Sequence, residues 1–326
     1  YEARPDERAD LEKQAAPHGV ELSVTDAVPT LENASLAAGC IGVSILGQGC
    51  IDAALLDAYH ALGIRYLSTR TIGYDHIDLD HARSIGLRVC SASYAPNGVA
   101  DFTVMMILMC LRHYKQALWR GQVNDFSLTG LQGREMKDLT IGIIGTGRIG
   151  AQVVRNLTGF GCRILAYDLR RNPAVEPQVT YVDFDTLLAQ SDVITLHMPL
   201  LDSNRHIINR ESIAKMRDGV VIVNCSRGEL ADIEALIEGI ETGKIGALGM
   251  DTVEGDEGII HADHRVDILP NRNWFYLHQF RNVIMTQHMA FYTDAAVSSM
   301  VDCGIGGICQ MAAGESCPTE LTGPVQ

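Results

Sequence analysis

The sequence predicts an α/β protein built on a doubly wound parallel sheet, with a second, smaller α/β domain. Two observations lead to this prediction. Short apolar runs of the kind that form buried parallel strands alternate with helical patterns along most of the chain. A glycine-rich turn at residues 145–150, GTGRIG, connects one such run to a helix near the middle of the chain. A length of 326 residues exceeds what one hydrophobic core usually holds, so two domains are expected.

The segment 140–168 has the order of a dinucleotide-binding unit: apolar strand, glycine turn, helix, second strand and terminal acid. Gly145 allows the tight turn, Gly147 lets the backbone approach a pyrophosphate, and Gly150 lets the helix pack closely on the sheet. The N-terminus of that helix offers N–H groups and a positive dipole end to phosphates. A purely structural turn is the alternative, but the surrounding strand, helix and acid favour nucleotide binding.

The acid that ends the second strand, Asp168, indicates which cofactor binds. A carboxylate at this position accepts hydrogen bonds from the ribose hydroxyls and repels a 2′-phosphate, which favours NAD over NADP. Arg170 and Arg171 follow directly and are able to weaken that preference. A solvated loop acid is the alternative interpretation of Asp168.

Composition excludes several classes of partner. A net charge of −14 and a pI of about 5.2 argue against nucleic acid or an anionic membrane. Nine scattered cysteines without a CxxC pair predict a reducing, cytoplasmic location and neither a disulfide framework nor a metal site. No signal peptide is recognisable, and the longest apolar run, 104–111, is far shorter than the ~20 residues that a membrane span needs.

Residues 1–97 carry an α/β pattern of their own. Helices are expected over residues 6–18, 52–62 and 79–85, and strands over 20–24, 40–46, 65–69 and 87–91. A Pro-Asn-Gly break at 96–98 precedes a long apolar helix, expected over 99–121, and a polar loop over 122–137.

The alternation continues after residue 168. Helices are expected over 184–189, 212–216 and 233–240, and strands over 193–197, 220–224, 245–250 and 283–286. With the nucleotide unit this gives about six strands. Residues 254–281 are irregular, charged and aromatic, and too long for a plain connection, which indicates a functional segment. Within it, 270–281 is expected either to border the ligand pocket or to pack as a loop. A last helix is expected over 295–311.

Three polar residues stand at or just beyond the ends of predicted strands, where open α/β sheets bind their ligands. Arg227 follows VIVNCS, Asp251 follows ALGM with Asp256 behind it, and His288 follows VIMTQ. A guanidinium can hold the carboxylate of a 2-keto acid, and an imidazolium can donate a proton as hydride arrives. A nearby carboxylate orients the imidazole and raises its pKa. A surface ion pair for Arg227 and a structural role for His288 are the alternatives.

Seven segments together resemble the NAD-dependent D-2-hydroxyacid dehydrogenase family. They are STRTIGYDHID (68–78), YAPNGVADFTVMMILM (94–109), GTGRIG (145–150), SDVITLHMPL (191–200), VNCSRGEL (223–230), MDTVEGDEG (250–258) and NVIMTQHMAFYT (282–293). Within the family they are similar to the D-lactate dehydrogenase branch, and in particular to the vancomycin-resistance type. The resemblance implies a Rossmann NAD-binding domain over 98–291, which also forms a homodimer. It further implies a flavodoxin-like substrate domain over 1–97, completed by 292–326.

The resemblance also implies a role for each matching residue. Arg227 would bind the substrate, His288 would donate the proton, and Asp256 would support His288. Further substrate contacts would come from Ile72, Gly73, Tyr94 and Phe291. NAD contacts would come from Thr103, Gly145, Gly147, Arg148, Ile149, Gly150, Asp168, Met198, Pro199, Asn204, Cys225, Ser226 and Asp251.

The chain departs from the family pattern in three places. Asp256 stands where the family carries Glu, so the support for His288 is shorter by one C–C bond, and Glu257 or Glu254 is the alternative. Gln287 replaces the usual proline before His288. Asp168 is present where the resistance-type enzyme has no acid, which favours NAD here.

The sequence therefore predicts NADH-dependent reduction of pyruvate, or of a related small 2-keto acid, to the D-2-hydroxy acid. A dehydrogenase for larger branched or aromatic keto acids, such as 2-ketoisocaproate or phenylpyruvate, is the neighbouring alternative, because Tyr94 and Phe291 do not fix the pocket size. An NAD-sensing corepressor is the alternative from another class of protein.

Overall fold

The computed structural model describes residues 1–269 and 271–323, and the chain divides into two compact units. The larger unit is Pro96–Phe291, and the smaller one joins Tyr1–Ala95 to Tyr292–Gln326. The first boundary thus lies two residues before the predicted 97/98, and the second is the predicted 291/292. Residue 270 and residues 324–326, which belong to the predicted segments 270–281 and 292–326, lie outside the described residues.

The larger unit is built on a seven-stranded parallel sheet with the order β10-β9-β8-β7-β4-β5-β6. Its strands are β4 (Thr140–Ile144), β5 (Arg163–Tyr167), β6 (Thr180–Tyr181), β7 (Val193–Leu196), β8 (Val220–Asn224), β9 (Ile245–Met250) and β10 (Val283–Met285). The central strands β4, β7 and β8 are buried at every position, as expected for parallel strands covered on both faces. The predicted α/β class is confirmed.

Helices cover both faces of this sheet, so it is doubly wound. The helices of this unit are α4 (Asn97–Leu111), α5 (Tyr114–Gln122), α6 (Arg148–Thr158), α7 (Phe184–Gln190), α8 (Arg210–Lys215), α9 (Ile233–Glu241) and α10 (Arg272–Gln279). Helices α4 and α6 pack on each other, and α7 to α10 contact one another in sequence. Strands β5 and β6 follow β4 on one side of it, and strands β7 to β10 follow on the other, so the strand order switches between β4 and β7. Open α/β sheets bind their ligands at such a switch point.

The smaller unit contains a three-stranded parallel sheet in the order β1-β2-β3. Its strands are β1 (Gly42–Ile45), β2 (Tyr66–Thr69) and β3 (Arg88–Cys90), and its helices are α1 (Arg8–His18), α2 (Ala53–Ala61), α3 (Leu79–Ser84) and α11 (Asp294–Ala312). By length and composition alone, α11 could cross a membrane. In this fold it packs against α1 and β2 as a core helix.

Two predicted elements in the first half of the chain are wrong. Residues 20–24 form no strand: Val20 N donates back to Ala15 O of α1, and the nearby bonds from Glu2 N and Ala3 N go to Ala27 O and Thr25 O, beyond this segment. The single helix predicted over 99–121 is two helices, since His113 adopts a left-handed conformation with φ of 50° between α4 and α5.

Two further corrections concern the second half of the chain. The sheet has seven strands rather than about six, because β6 is a two-residue edge strand too short to leave a pattern. Residues 254–281 are not wholly irregular, since α10 begins after Asn271, whose side chain accepts a hydrogen bond from Trp274 N. Helix α10 buries Leu277 and contacts α9 and β10, so most of 270–281 packs as a helix.

Candidate active site

The predicted site residues of the larger unit gather at one edge of its sheet. Because all seven strands are parallel, their carboxyl ends lie along the same edge. The glycine turn follows β4 and Asp168 follows β5. Arg227, Asp251 and His288 follow β8, β9 and β10, which are three adjacent strands. The fold thus places the three chemistry-bearing turns next to one another.

The glycine turn has the geometry that a bound pyrophosphate requires. Gly145 has φ of 92°, and a Cβ there would lie 2.5 Å from the carbonyl oxygen of His197. A Cβ on Gly150 would lie only 1.9 Å from the oxygen of Gly145. A Cβ on Gly147, in contrast, would meet nothing within 4 Å. Two glycines are therefore required by packing, and the third borders open space in front of α6, where Arg148 and Ile149 begin the helix.

Asp168 ties the end of β5 to this turn. Its Oδ2 accepts hydrogen bonds from Thr146 N at 2.6 Å and Thr146 Oγ1 at 3.1 Å, and its Oδ1 accepts one from Arg170 N at 2.9 Å. Tyr181 donates its hydroxyl to Thr146 Oγ1 at 2.8 Å. The carboxylate is thus fixed beside the glycine turn, where a ribose is expected, but the contact with Thr146 is not evident from the sequence.

The turn after β7 is organised by Asn204. Its Nδ2 donates to the carbonyl oxygen of Pro199 at 2.8 Å and to the sulfur of Met198 at 3.4 Å. Its Oδ1 accepts a hydrogen bond from Leu201 N at 2.8 Å. The amide therefore bonds within its own turn and shapes the surface that Met198 and Pro199 present at the sheet edge.

Buried His197 follows β7 directly and was not among the predicted site residues. Burial lowers the pKa of its imidazole to about 3, so the ring is neutral at physiological pH. Its Nε2 lies 3.0 Å from Thr195 Oγ1. Because its backbone oxygen also lies against Gly145, His197 supports the glycine turn rather than exchanging protons there.

The turn after β8 carries Cys225, Ser226 and Arg227. The Cys225 side chain is buried beside Thr103 of α4, and burial raises the pKa of its thiol. Ser226 donates its hydroxyl to Leu196 O at 2.6 Å, which joins this turn to the end of β7. Asn224 fixes the turn from below, since it accepts from Ser226 N at 3.0 Å and donates to Arg227 O at 2.7 Å.

Arg227 is half-buried on this ordered turn, and its Nη1 donates to Ser226 O at 2.9 Å. The next residue, Gly228, packs against the turn that follows β9. A Cβ on Gly228 would lie 2.3 Å from the carbonyl carbon of Val253 and 2.5 Å from Glu254 N. The turns that carry Arg227 and Asp256 are thus in direct backbone contact.

Asp251 holds the turn that carries His288. Its buried carboxylate accepts hydrogen bonds from Thr286 Oγ1, from Met289 N at 2.9 Å and from Ala290 N at 2.8 Å. His288 lies between these anchored residues with a left-handed backbone, φ 52°. Non-glycine residues rarely adopt that conformation unless their surroundings impose it, so the buried carboxylate is what presents this imidazole.

Asp256 is half-buried on the turn after β9. Its Oδ2 accepts a hydrogen bond from Val253 N at 3.1 Å. The pKa of its carboxyl is raised to about 6, chiefly by burial and with smaller contributions from the charges of Glu257, Glu229 and Asp251, while the hydrogen bond from Val253 N opposes the rise. A carboxyl that titrates near neutrality at a sheet edge is suited to act with a histidine.

The two alternatives to Asp256 differ in their surroundings. Glu254 accepts a hydrogen bond from the ring of His206 at 2.6 Å and another from Ile233 N at 3.5 Å, so its carboxylate is committed to that side of the turn. Glu257 is exposed. Asp256 is less exposed than Glu257 and, unlike Glu254, is not engaged by His206, which favours it over both.

Two rings lie beside the proton-donor candidate His288. The ring centroid of His288 lies 6.3 Å from that of Phe291 and 6.1 Å from that of His261, and His261 lies 6.4 Å from Phe291. The Nε2 atom of His261 is 3.3 Å from the carbonyl oxygen of His288. His261 lies in the long segment expected to be functional, but no feature of the sequence distinguished it from the other histidines.

The remaining predicted substrate residues belong to the smaller unit and also follow its strands. Ile72 and Gly73 lie in the turn after β2, where Thr71 Oγ1 donates to Gly73 O at 2.6 Å. Tyr94 follows β3 and is half-buried. The backbone bond from Ala92 N to Thr71 O, 2.9 Å long, joins the two turns.

The arrangement in the larger unit suits hydride chemistry on a carbonyl. It combines a phosphate-binding turn, a guanidinium, a carboxyl that titrates near neutrality and an imidazole, all at one sheet edge. Among the described residues, no group of three or more His, Cys, Asp and Glu side chains is arranged to hold a metal ion.

Comparison with known proteins identifies relatives of this architecture. The family profile described as "D-isomer specific 2-hydroxyacid dehydrogenase, NAD binding domain" matches residues 104–290. The aromatic 2-oxoacid reductase of Clostridium sporogenes is 41% identical over 306 residues, which are 93% of this chain and 92% of that protein. The D-lactate dehydrogenase of Escherichia coli K12 is 36% identical, with 98% of both chains covered. The crystal structure of D-lactate dehydrogenase with NAD⁺ from Lactobacillus jensenii superposes with a TM-score of 0.85 at 31% identity, with 98% of both chains covered.

Proposed function

Because the chain belongs to the family of D-isomer-specific 2-hydroxyacid dehydrogenases and is an NAD-dependent oxidoreductase, we propose that it reduces pyruvate or a related small 2-keto acid to the D-2-hydroxy acid. The predictions of an enzyme and of NAD as its cofactor are confirmed. Family membership favours the enzyme over the corepressor alternative. The observation that carries the proposal is the position of Arg227, Asp256 and His288 on the turns after three adjacent parallel strands.

Each of these side chains has one task in the proposed reaction. Bound NADH supplies the hydride. The guanidinium of Arg227 holds the keto acid's carboxylate and polarises its carbonyl. His288 in its protonated form donates a proton to the carbonyl oxygen as the alcohol forms. Ionised Asp256 stabilises the imidazolium before this transfer.

The residues around these groups orient the ligands. We assign the pyrophosphate to Gly145, Gly147 and Gly150 with the first turn of α6, because Gly147 borders open space there. We assign the ribose hydroxyls to Asp168. The remaining NAD contacts are assigned to Thr103, Met198, Pro199, Asn204, Cys225, Ser226 and Asp251. Substrate contacts are assigned to Ile72, Gly73, Tyr94 and Phe291.

A larger keto acid is the second candidate substrate. The Clostridium sporogenes relative is named an aromatic 2-oxoacid reductase, whereas the Escherichia coli relative is named a D-lactate dehydrogenase. Membership of the D-lactate dehydrogenase branch, and of its vancomycin-resistance type, remains a proposal that rests on the motifs quoted above. A cytoplasmic location is likewise proposed, on the scattered cysteines without a CxxC pair.

Oxidation of NADH by purified protein tests the proposed reaction. We expect absorbance loss with pyruvate, a D-configured product, and a higher kcat/KM for pyruvate than for 2-ketoisocaproate or phenylpyruvate. Higher kcat/KM for phenylpyruvate would assign the aromatic alternative instead. An absence of NADH oxidation with the whole panel would refute the proposed function.

We propose that the protein forms a homodimer through helix α5 and the segment that follows it. Leu118, Trp119, Val123, Phe126 and Leu128 expose between 52% and 83% of their surface. Five large apolar side chains within eleven residues exceed what a monomer usually leaves in water, and a second copy of the same surface would cover them.

Light scattering of a charged variant tests this interface. The wild type should be a particle of twice 35.5 kDa, and the double variant Trp119→Glu with Phe126→Glu should be a monomer. The dimer of this variant would have to bury two unpaired carboxylates from each subunit, which is costly. Leu31→Glu, an equally exposed apolar position in the smaller unit, is the control and should leave the mass unchanged. A monomeric wild type, or a variant that stays dimeric, would contradict the proposal.

A further inference from the structure

We propose that His261 is a positioning residue for His288, and that it acts by donating its Nε2–H to the backbone carbonyl of His288. The proposal rests on the proposed function, because it assigns His288 the proton transfer. No motif and none of the family-implied roles includes His261. It lies within the segment 254–269, ten residues beyond Asp251.

The chemistry of the contact fixes the tautomer of His261. A carbonyl oxygen can only accept a hydrogen bond, so the Nε2 atom that lies 3.3 Å from His288 O must carry the proton. This donor is present in both the neutral and the protonated imidazole. The contact therefore persists across the pH range in which histidines titrate.

The backbone of His288 is where such a contact matters. With φ of 52° it is strained, and the neighbouring amides of Met289 and Ala290 are held by the buried carboxylate of Asp251. Asp251 therefore fixes the two N–H groups that follow His288, and His261 binds the carbonyl of His288 itself. Two separate segments of the chain, one with Asp251 and one with His261, thus hydrogen-bond to the turn. These contacts limit the orientations that the His288 imidazole can adopt.

His261 also adopts a left-handed backbone, with φ of 62°. Two strained residues in mutual contact indicate that the surrounding structure imposes both conformations. The T-shaped contact of His261 with Phe291, 6.4 Å between centroids, keeps the ring of His261 on the same side of the turn. Ring packing and hydrogen-bond donation are thus the two ways in which His261 can act, and the proposal commits to donation.

Three variants separate donation from packing. His261→Gln keeps an N–H donor near the position of Nε2, His261→Phe keeps a ring without a donor, and His261→Ala keeps neither. His264→Ala is the matched control, because His264 lies in the same segment but bonds to Asp267. All four are compared with the wild type by steady-state kinetics with pyruvate and NADH and by thermal unfolding.

We expect His261→Ala and His261→Phe to lower kcat about three- to tenfold, the range expected for one lost neutral hydrogen bond. The KM for the keto acid should stay within about twofold, since ground-state binding is unaffected. His261→Gln should retain at least about half of the wild-type kcat, and His264→Ala should match the wild type. A wild-type kcat for His261→Ala or His261→Phe, or a failure of His261→Gln to restore kcat in a folded protein, would overturn the proposal.

A second readout keeps the inference separate from the proposed function. In protein labelled with ¹³C at histidine Cε1, the His288 resonance is assigned by its loss in His288→Gln. His261→Ala and His261→Phe should shift or broaden it, whereas His261→Gln should leave it in place. If the wild type oxidised no NADH, the proposed function would fail, and this spectrum would still decide whether His261 orients His288. An unchanged resonance in His261→Ala would refute the contact.

Discussion

The two ends of the carboxyl edge of the seven-stranded sheet are built in different ways. At the nucleotide end, after β4, the glycine turn takes its shape from residues close in sequence, since Gly150 packs on the oxygen of Gly145 five residues before it. At the catalytic end, after β8, β9 and β10, it is set by distant residues. Asp251 holds Thr286, Met289 and Ala290, which lie 35, 38 and 39 positions further along.

This difference explains what each end contributes. A local turn can bind phosphate by its backbone alone, because the N–H groups and the helix dipole need only glycines at fixed spacing. A proton donor must be aimed at one atom, and a long-range buried carboxylate provides that orientation. Substitutions at the catalytic end should therefore affect turnover, and substitutions at the nucleotide end should affect cofactor binding.

The largest effect is expected for His288→Gln. Loss of the proton donor should lower kcat about 10²- to 10⁴-fold, the usual contribution of general acid catalysis. The dissociation constant for NADH, measured by fluorescence titration, should stay unchanged because the nucleotide end is intact. His278→Gln, on α10, is the control and should retain activity. If His288→Gln weakened NADH binding by the same factor as it lowered kcat, the catalytic end and the nucleotide end would not act independently.

Asp256→Asn should change the pH profile of kcat. Reduction requires a protonated His288 and an ionised Asp256, so the wild-type rate should fall as the pH drops below about 6, where Asp256 takes up a proton. The variant should lack this acid limb, and its alkaline limb should move to lower pH because the imidazolium loses its carboxylate. Glu257→Gln should keep both limbs, with the acid limb displaced slightly to lower pH because one negative charge beside Asp256 is lost. If Glu257→Gln loses the acid limb and Asp256→Asn keeps it, Asp256 is the wrong partner.

The same substitution should stabilise the fold at neutral pH. The pKa of Asp256 rises from 3.8 to about 6 on folding, so the folded state favours the protonated form. Stability is therefore lost as the pH rises from about 4 to about 6, and the cost at pH 7 is about 1–3 kcal/mol. Asp256→Asn removes this cost and should raise the Tm at pH 7 but not at pH 4. An equal shift at both pH values would contradict the burial argument.

The smallest effect is expected for Asp168→Ser. Loss of the carboxylate removes the ribose contact and the repulsion of a 2′-phosphate, so the ratio of kcat/KM for NADH to that for NADPH should fall about tenfold. Asp185→Ser, on the exposed start of α7, is the control. Comparable rates of the wild type with both cofactors would show that Asp168 does not select NAD.

The sequence was most informative where function is local. The strands β4, β8 and β9, the glycine turn and the positions of Arg227 and His288 after their strands all follow from apolar runs and single residues. The fold class follows for the same reason, because a buried parallel strand leaves a continuous apolar run.

The remaining features depend on tertiary contacts that a sequence pattern does not contain. The left-handed His113 divides a segment that has a helical pattern on both sides, and the two residues of β6 are too few to show a strand period. Asp251 hydrogen-bonds to the turn that carries His288, and His261 contacts the same turn. Both contacts depend on the pairing of β9 with β10. Their residue types alone therefore do not reveal their roles.

The most direct measurement is a crystal structure of the protein with NADH and oxamate, a keto-acid analogue that is not reduced. The account predicts the oxamate carboxylate within hydrogen-bond distance of the Arg227 guanidinium. It also predicts that the amide carbonyl oxygen of oxamate lies within hydrogen-bond distance of the His288 ring. The nicotinamide C4 should face the carbon of that carbonyl group. Arg227 and His288 directed into different cavities, or oxamate bound away from the nicotinamide, would contradict it.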